Sequence, residues 1–278
     1  MTVVAMTREM GSLGKDVASG LAERLNLTVV HHELVERHLA ERLGTGESTV
    51  HRFLEGEASL FERWKIDSKR LSRFTREELL ELAAKGNVII RGWGAASLLR
   101  QIPHVLCVRV CAPLQTRVQR MMTRLNWTDP AIARREIERN DAAHASTMQR
   151  FFGATWESPE LYDIVLNTER VPVAACVDYV QSLAQRPEFQ ESEQSRSVLQ
   201  DKLIEVRARG ALDNLLGARS GNDLVEVNVD KGHVVVSGFV TDKEMLKRIE
   251  GAVRSVPGVA RVEMNARHWA GGSPSGWA

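Results

Sequence analysis

No stretch of this 278-residue chain stays apolar long enough to cross a bilayer, which sets aside membrane-spanning roles. Nor does a basic-then-apolar signal segment open it, because Arg8 and Glu9 cut the first apolar run short. Charge of one sign is missing as well. Lys and Arg number 37 against 36 Asp and Glu, leaving +1, too little field to attract nucleic acid or grip an anionic membrane. Cysteine is scarce: Cys107, Cys111 and Cys176 are odd in number and lack metal-ligand spacing. Cys107 and Cys111 share a face of one expected strand, but four residues at about 3.3 Å each leave them too far apart to be bridged. Free buried thiols in a reducing compartment are expected, and the cytoplasm with them.

What the chain does have is regular alternation. Over 2–185, short β-branched runs at 3–6, 28–30, 88–90, 105–110 and 164–166 read as strands. Between them, helical patterns run over 14–25, 33–43, 75–85, 94–100, 113–124, 131–151 and 172–185. Apolar strands without in–out alternation, separated by helices, imply an α/β fold with a parallel sheet covered on both faces. The segment 186–197 is polar, carries Pro187 and reads as a linker or a frayed helix extension. After it comes a helix over 198–215, then strands at 224–229 and 233–240 around the hairpin signal Asp230-Lys231-Gly232. A helix over 242–255 follows, with Met245, Ile249 and Val253 on one face, and a last strand at 259–264. Residues 198–268 thus spell a small α-β-β-α-β domain beside the larger one at 1–185, and the Gly/Ser-rich tail 269–278 is expected to be disordered.

The most informative stretch is Met6-Thr7-Arg8-Glu9-Met10-Gly11-Ser12-Leu13-Gly14-Lys15-Asp16. It joins the first strand to a helix whose apolar face carries Val17, Leu21, Ala22 and Leu25. A strand, a glycine-containing turn and a helix opening on Gly-Lys make a phosphate-binding loop. Backbone N–H groups close in on the phosphates, the helix N-terminus adds partial positive charge, and the lysine neutralises the terminal phosphate. Against the pattern G-x-x-x-x-G-K-[ST], Gly14 and Lys15 fit, Glu9 replaces the first glycine, and Asp16 replaces the hydroxyl that holds magnesium. Three readings of Asp16 stay open: a carboxylate favouring the helix dipole, a substitute magnesium ligand, or a mark of weakened phosphate affinity. Glu9 would repel a triphosphate unless Arg8 or Arg91 pairs with it.

Four segments extend the pattern in order: T-R-E-M-G-S-L-G-K, V-I-I-R-G-W-G-A-A, V-R-V-C-A-P-L-Q-T-R-V-Q-R-M-M-T-R and Y-D-I-V-L-N-T. Together they resemble the cytidylate kinase-like family of P-loop nucleoside monophosphate kinases. V-E-V-N-V-D-K-G-H-V-V-V-S-G-F-V and V-R-S-V-P-G-V make the last third similar to a BON domain. The resemblance implies phosphoryl transfer to a nucleoside monophosphate, CMP among them, with ATP and Mg2+ as cofactors. It places Gly11, Ser12, Leu13, Gly14, Lys15 and Asp16 on the phosphate loop. Lys15, Arg120, Arg124 and Arg139 become the catalytic cations. Arg91 falls on the nucleotide-phosphate segment, where Trp93 stands in the place of the family's arginine. Arg117 also lies on the arginine-rich helix, Asp141 near the charged lid motif, His144 near a further family arginine, and Asn167 and Thr168 beside the adenine. For the BON-like part the resemblance implies a binding module for a small ligand, a partner protein or a lipid surface.

Phosphoryl transfer needs positioning and positive charge over the moving group, which lysine and forked guanidinium groups supply. Arg117, Arg120 and Arg124 can share one helix face above the phosphates, or form a solvated face together with Arg134, Arg135 and Arg139 against Glu136 and Glu138. His31 and His32 read as loop or helix-start residues. Trp64, Trp93, Trp127 and Trp156 read as packing residues that are also able to stack on a base. A second reading of the whole keeps the nucleotide but drops the catalysis: a regulator with a degenerate kinase site. A third makes the chain a structural adaptor.

Overall fold

The computed structural model describes residues 1–54, 68–92, 94–216, 225–240 and 242–268. They divide into two compact units, Met1–Ser195 and Arg196–Ala278. The tail 269–278 and the side chains of Trp64 and Trp93 lie outside the described residues.

In the first unit, β1 (Val3–Arg8), β2 (Thr28–Val30), β3 (Val88–Arg91), β4 (Val105–Cys111) and β5 (Ile164–Asn167) form one sheet in the order β2-β3-β1-β4-β5. Every pairing is parallel, with Ala5 of the central strand between Ile90 and Cys107. The helices of this unit are α1 (Gly14–Leu25), α2 (His32–Leu43), α3 (Glu47–Leu54), α4 (Ser68–Lys85), α5 (Ala95–Leu99), α6 (Leu114–Leu125), α7 (Pro130–Phe152) and α8 (Val173–Ala184). Val3, Val4, Ala5 and Met6 are fully buried, as a strand covered on both faces must be. Val17, Ala18 and Leu21 of α1 pack with Val177 and Val180 of α8 in that core. Gly20 permits the close approach, because a Cβ there would lie 3.0 Å from Val177. β1 has a neighbour reached by each direction of winding, so its carboxyl end is the switch point where such sheets bind ligands.

Three expectations shift. Helix α4 begins at Ser68, seven residues before the expected start at 75, because the Thr75 hydroxyl bonds back to Leu71 O at 2.9 Å inside the helix and does not cap it. Helix α3 was not expected at all. The segment 186–197 carries order of its own: a 3-10 turn at Pro187–Phe189, with Phe189 on the first unit's core. Ser192 and Ser195 then exchange hydrogen bonds of 2.9 and 3.1 Å, a capping arrangement that starts α9 (Glu193–Leu216).

The second unit is a mixed sheet in the order β6 (Val225–Asp230), β7 (His233–Val240), β8 (Arg261–His268). Lys231 (φ 49°) and Gly232 (φ 73°) make the two-residue hairpin turn, and the Asp201 carboxylate accepts both their N–H groups, at 2.8 and 2.9 Å. Helix α10 (Lys243–Arg254) carries the chain to β8, which pairs parallel with β7. Ile249 and Val253 of α10 are fully buried against Val234 and Val236 of β7.

All three cysteines are free. Burial first, then the Asp163 carboxylate, pushes the Cys107 thiol up to about 12. The folded state therefore favours the neutral thiol, and this stabilisation is intact below pH 9.0 and fades as pH rises towards 12. Burial raises the Cys176 thiol as well. At pH 8 the native protein is expected to leave Cys107 and Cys176 unlabelled by iodoacetamide, with labelling at all three sites in urea. Rapid native labelling of Cys107, read by mass spectrometry, contradicts the packing described.

Candidate active site

The loop leaving β1 follows the carboxyl edge of the sheet and enters α1 through Leu13, whose left-handed φ of 62° turns the chain. Ser12 N and Ser12 Oγ both donate to Glu9 O, at 3.2 and 2.8 Å, and close the turn. The backbone N–H groups of Leu13, Gly14 and Lys15 have no hydrogen-bond partner among the described residues, and no side chain caps α1. They are the donors an anion meets at a helix N-terminus. Gly11 is required twice over. Its φ is +78°, and a Cβ on it would lie 3.0 Å from Arg117 O.

Gly11, Leu13, Gly14, Lys15 and Asp16 line a cleft of about 500 Å³, closed on its far side by Gln119, Arg120, Met121, Thr123 and Arg124 of α6. Lys15 and Asp16 are exposed at its mouth, and Arg124 faces it from the solvent side. Arg120 is tied down instead. It donates to Thr168 Oγ1 and Thr168 O, at 2.9 and 2.7 Å, and to Gly11 O at 3.4 Å. Thr168 Oγ1 in turn donates to Ser12 O at 2.8 Å. Arg120 thus clamps the loop to the end of β5 while it lines the cleft.

Glu9 sits beneath the loop and away from the cleft. Its carboxylate takes Arg109 Nη2 at 2.7 Å, Ala112 N at 3.0 Å and Arg117 Nε at 3.4 Å. The expected partners Arg8 and Arg91 give way to these two arginines because β4 and the start of α6 lie directly under the loop. Arg117 also forks onto Asp141 of α7, at 3.1 and 2.9 Å, and donates to Ala112 O at 3.0 Å. Burial opposes the charge of Arg109, but the Glu9 carboxylate outweighs it and holds the guanidinium above its usual pKa. Arg117 is therefore structural. The arginine stripe divides by position along α6: buried under the loop at 117, clamping at 120, open at 124.

A second cleft, of about 360 Å³, opens on the other side of β1, against β3. Arg8, Arg91, His51, Glu136, Asn140 and His144 are among its polar lining, together with Trp156 and Met148. Glu36 Oε1 holds His51 Nδ1 at 2.9 Å. Trp156 is 2% exposed, packed edge-on by His144 and covered by the Arg109 guanidinium 4.7 Å from its ring centroid.

The structure therefore brings seven expected residues to one cleft: Gly11, Leu13, Gly14, Lys15, Asp16, Arg120 and Arg124. Arg91 lies in the other cleft. Ser12 is buried, its hydroxyl turned back on Glu9 O. Arg139 is 62% exposed beside Glu136, at the rim and in the lining of neither cleft. His31 stands at the N-cap of α2, and Trp127 packs with Val118, Met121 and Ile137. Arg8 was read only as a partner for Glu9, and Arg109 and the Glu36–His51 pair were missed. For Arg109 a signal existed: a lone arginine in the apolar run V-L-C-V-R-V-C.

The profile of the cytidylate kinase-like family matches residues 3–170, and that of the BON domain matches residues 200–267. The chain belongs to the cytidylate kinase-like family. A cytidylate kinase of Ignicoccus hospitalis is 30% identical over 190 residues, spanning 66% of this chain and 99% of its own. One from Pyrobaculum aerophilum is 25% identical over 173 residues, 62% of this chain and 87% of its own. Among solved structures, an uncharacterized protein from Eubacterium ventriosum superposes with a TM-score of 0.53 at 18% identity, over 67% of this chain and 100% of its own, a likeness of fold. The first unit has a P-loop-kinase-like nucleotide-binding fold, with a BON domain after it. No helix among the described residues is long and apolar enough to cross a membrane.

The residues of this family member's phosphate loop fit a nucleotide triphosphate, since three open N–H groups, Lys15 and Arg124 face one cleft. Magnesium finds less. Among the described residues no three His, Cys, Asp or Glu side chains cluster as a metal site, and Asp16 is the carboxylate that lines the cleft of Lys15. A magnesium ion brought in with a triphosphate would be held chiefly by phosphate oxygens, with Asp16 at the mouth of the cleft as the carboxylate to assist.

Proposed function

We propose that the first unit is a nucleoside monophosphate kinase that binds ATP with Mg2+ in the cleft of Lys15 and the acceptor in the cleft of Arg91, CMP being the acceptor to test first. The observation that carries this reading is the pair of clefts flanking the carboxyl end of β1, one opening on free loop N–H groups and a lysine, the other on buried Arg91. The nucleotide supplies the phosphoryl group and magnesium spreads its charge. The protein's share is to orient both partners and surround the moving group with fixed cations. Arg120 keeps the loop in shape, while Lys15 and Arg124 meet the phosphates.

A regulator that binds nucleotide with little catalysis stays as the second reading, on the single ground that Asp16 stands where a magnesium-binding hydroxyl is usual. Among its described residues the BON domain supplies no catalytic constellation, and it is read as a binding module for a small ligand or partner protein. Free buried thiols support a cytoplasmic location.

Lys15→Ala is expected to weaken Mg-ATP binding by about 1.5–3 kcal/mol, the scale of a charge-assisted hydrogen bond, roughly 10- to 150-fold. Its melting temperature is expected to stay unchanged, since Lys15 is solvent-facing. Titration calorimetry on both proteins reads the first effect and a thermal melt the second. A coupled assay with ATP, magnesium and each nucleoside monophosphate separates kinase from regulator. Equal affinity in wild type and variant removes the loop from the proposal.

A further inference from the structure

The two clefts share one residue among those described: Arg8. It is the last residue of the central strand, paired with Val110 of β4, and half-buried. Its side chain runs over the entrance of α1, so closely that a Cβ on Gly14 would lie 2.6 Å from Arg8 Cβ and 3.2 Å from Arg8 Cδ. Gly14 does not need to be glycine for its backbone, whose φ is not positive. It is glycine to let Arg8 pass. The neighbouring Glu9 turns the opposite way, into Arg109 and Arg117, so the arginine that ends β1 and the glutamate that follows it part company. One supports the loop from below and the other lies along the wall between donor and acceptor.

We propose that Arg8 is a catalytic residue, the guanidinium that contacts the phosphoryl group as it passes from one cleft to the other. This rests on the phosphoryl-transfer reading above. In the step, the bond from the γ-phosphorus to the β–γ bridging oxygen breaks and the bond to an acceptor phosphate oxygen forms. The leaving diphosphate keeps the electron pair of the broken bond. Arg8 gives up no proton. Its forked N–H groups hold the equatorial oxygens in the planar arrangement they take only at mid-transfer, and a planar guanidinium suits two such oxygens at once. A contact made only at mid-transfer speeds the reaction without tightening the binding of ATP itself.

That split is the test. Binding of ADP with magnesium and CMP is measured by calorimetry with and without aluminium fluoride, whose planar form mimics the moving phosphoryl. Fluoride is expected to tighten binding to the wild type by about 100-fold or more, as transition-state mimics do. Arg8→Gln is expected to lose that tightening while its affinity for ADP alone and its melting temperature stay near wild type. Its turnover is expected to fall by about 10³-fold, the scale of an arginine that meets a transferring phosphoryl. Arg8→Lys should keep part of both. Full fluoride tightening in Arg8→Gln overturns the role of Arg8 and leaves phosphoryl transfer standing. A wild type without fluoride tightening overturns phosphoryl transfer, and the role of Arg8 falls with it. If Arg8→Gln loses ADP affinity and thermal stability together, Arg8 is structural and the proposal is wrong.

Discussion

Restoring the missing first glycine of the phosphate loop, Glu9→Gly, is expected to damage the protein. The motif alone argues the reverse: a glycine at this position and one carboxylate fewer should favour a triphosphate. The structure puts that carboxylate under the loop, where its side chain is 12% exposed and those of Arg109 and Arg117 are 6% and 8%. Its removal leaves Arg109 without its carboxylate and the Ala112 N–H without its acceptor. Arg117 retains Asp141. Breaking a buried ion pair by deleting one partner costs about 3–5 kcal/mol, because the remaining charge stays desolvated. Urea unfolding is expected to show a loss of that size for Glu9→Gly. Glu9→Gln, which can still accept from Ala112 N, should lose less. Weaker ATP binding is expected to accompany the loss, since the loop would be without its support. A Glu9→Gly protein of unchanged stability with tighter ATP binding would falsify this account of the departure from the motif.

The same residues show what could and could not be read in advance. The phosphate loop was legible because its signal is local: an apolar strand, Gly11, Gly14 and Lys15 at fixed spacing, then the periodic face of α1. The parallel sheet was legible for the same reason, strand by strand, and so was the hairpin at Lys231-Gly232. What escaped was long-range. Arg109 stands 100 positions from Glu9, and Asp141 stands 24 from Arg117. Charge pairing at such distances leaves no periodicity behind. Arg117, Arg120 and Arg124 looked equivalent along the sequence because helical spacing fixes direction around the axis only. Depth under the loop, set by where α6 begins relative to β1, separates a buried strut from a clamp and an open cation. Leu13 was expected in the loop, but its left-handed turn was not, since a residue with a Cβ rarely adopts that conformation.

Leu21→Ala and Ile249→Ala are expected to lower different transitions in the same chain. Leu21 is fully buried in the core that α1 and α8 share with the parallel sheet, and Ile249 is fully buried between α10 and the mixed sheet. The two clusters have no residue in common. Truncating a buried leucine or isoleucine to alanine costs about 2–5 kcal/mol in transfer and cavity terms. If each unit melts by itself, calorimetry of the full chain resolves two transitions and each variant lowers one of them. The shift should be larger for Ile249→Ala, because about 1 kcal/mol moves the midpoint by roughly 4–8 °C in a domain of 60–100 residues and by half that in a domain twice as long. ATP with magnesium then serves as an independent marker. It binds the native first unit and should raise the transition that Leu21→Ala lowers, leaving the other in place. One transition displaced equally by both substitutions and by ATP would mean that the cores unfold as one, and that the BON domain is coupled to the nucleotide site through stability itself.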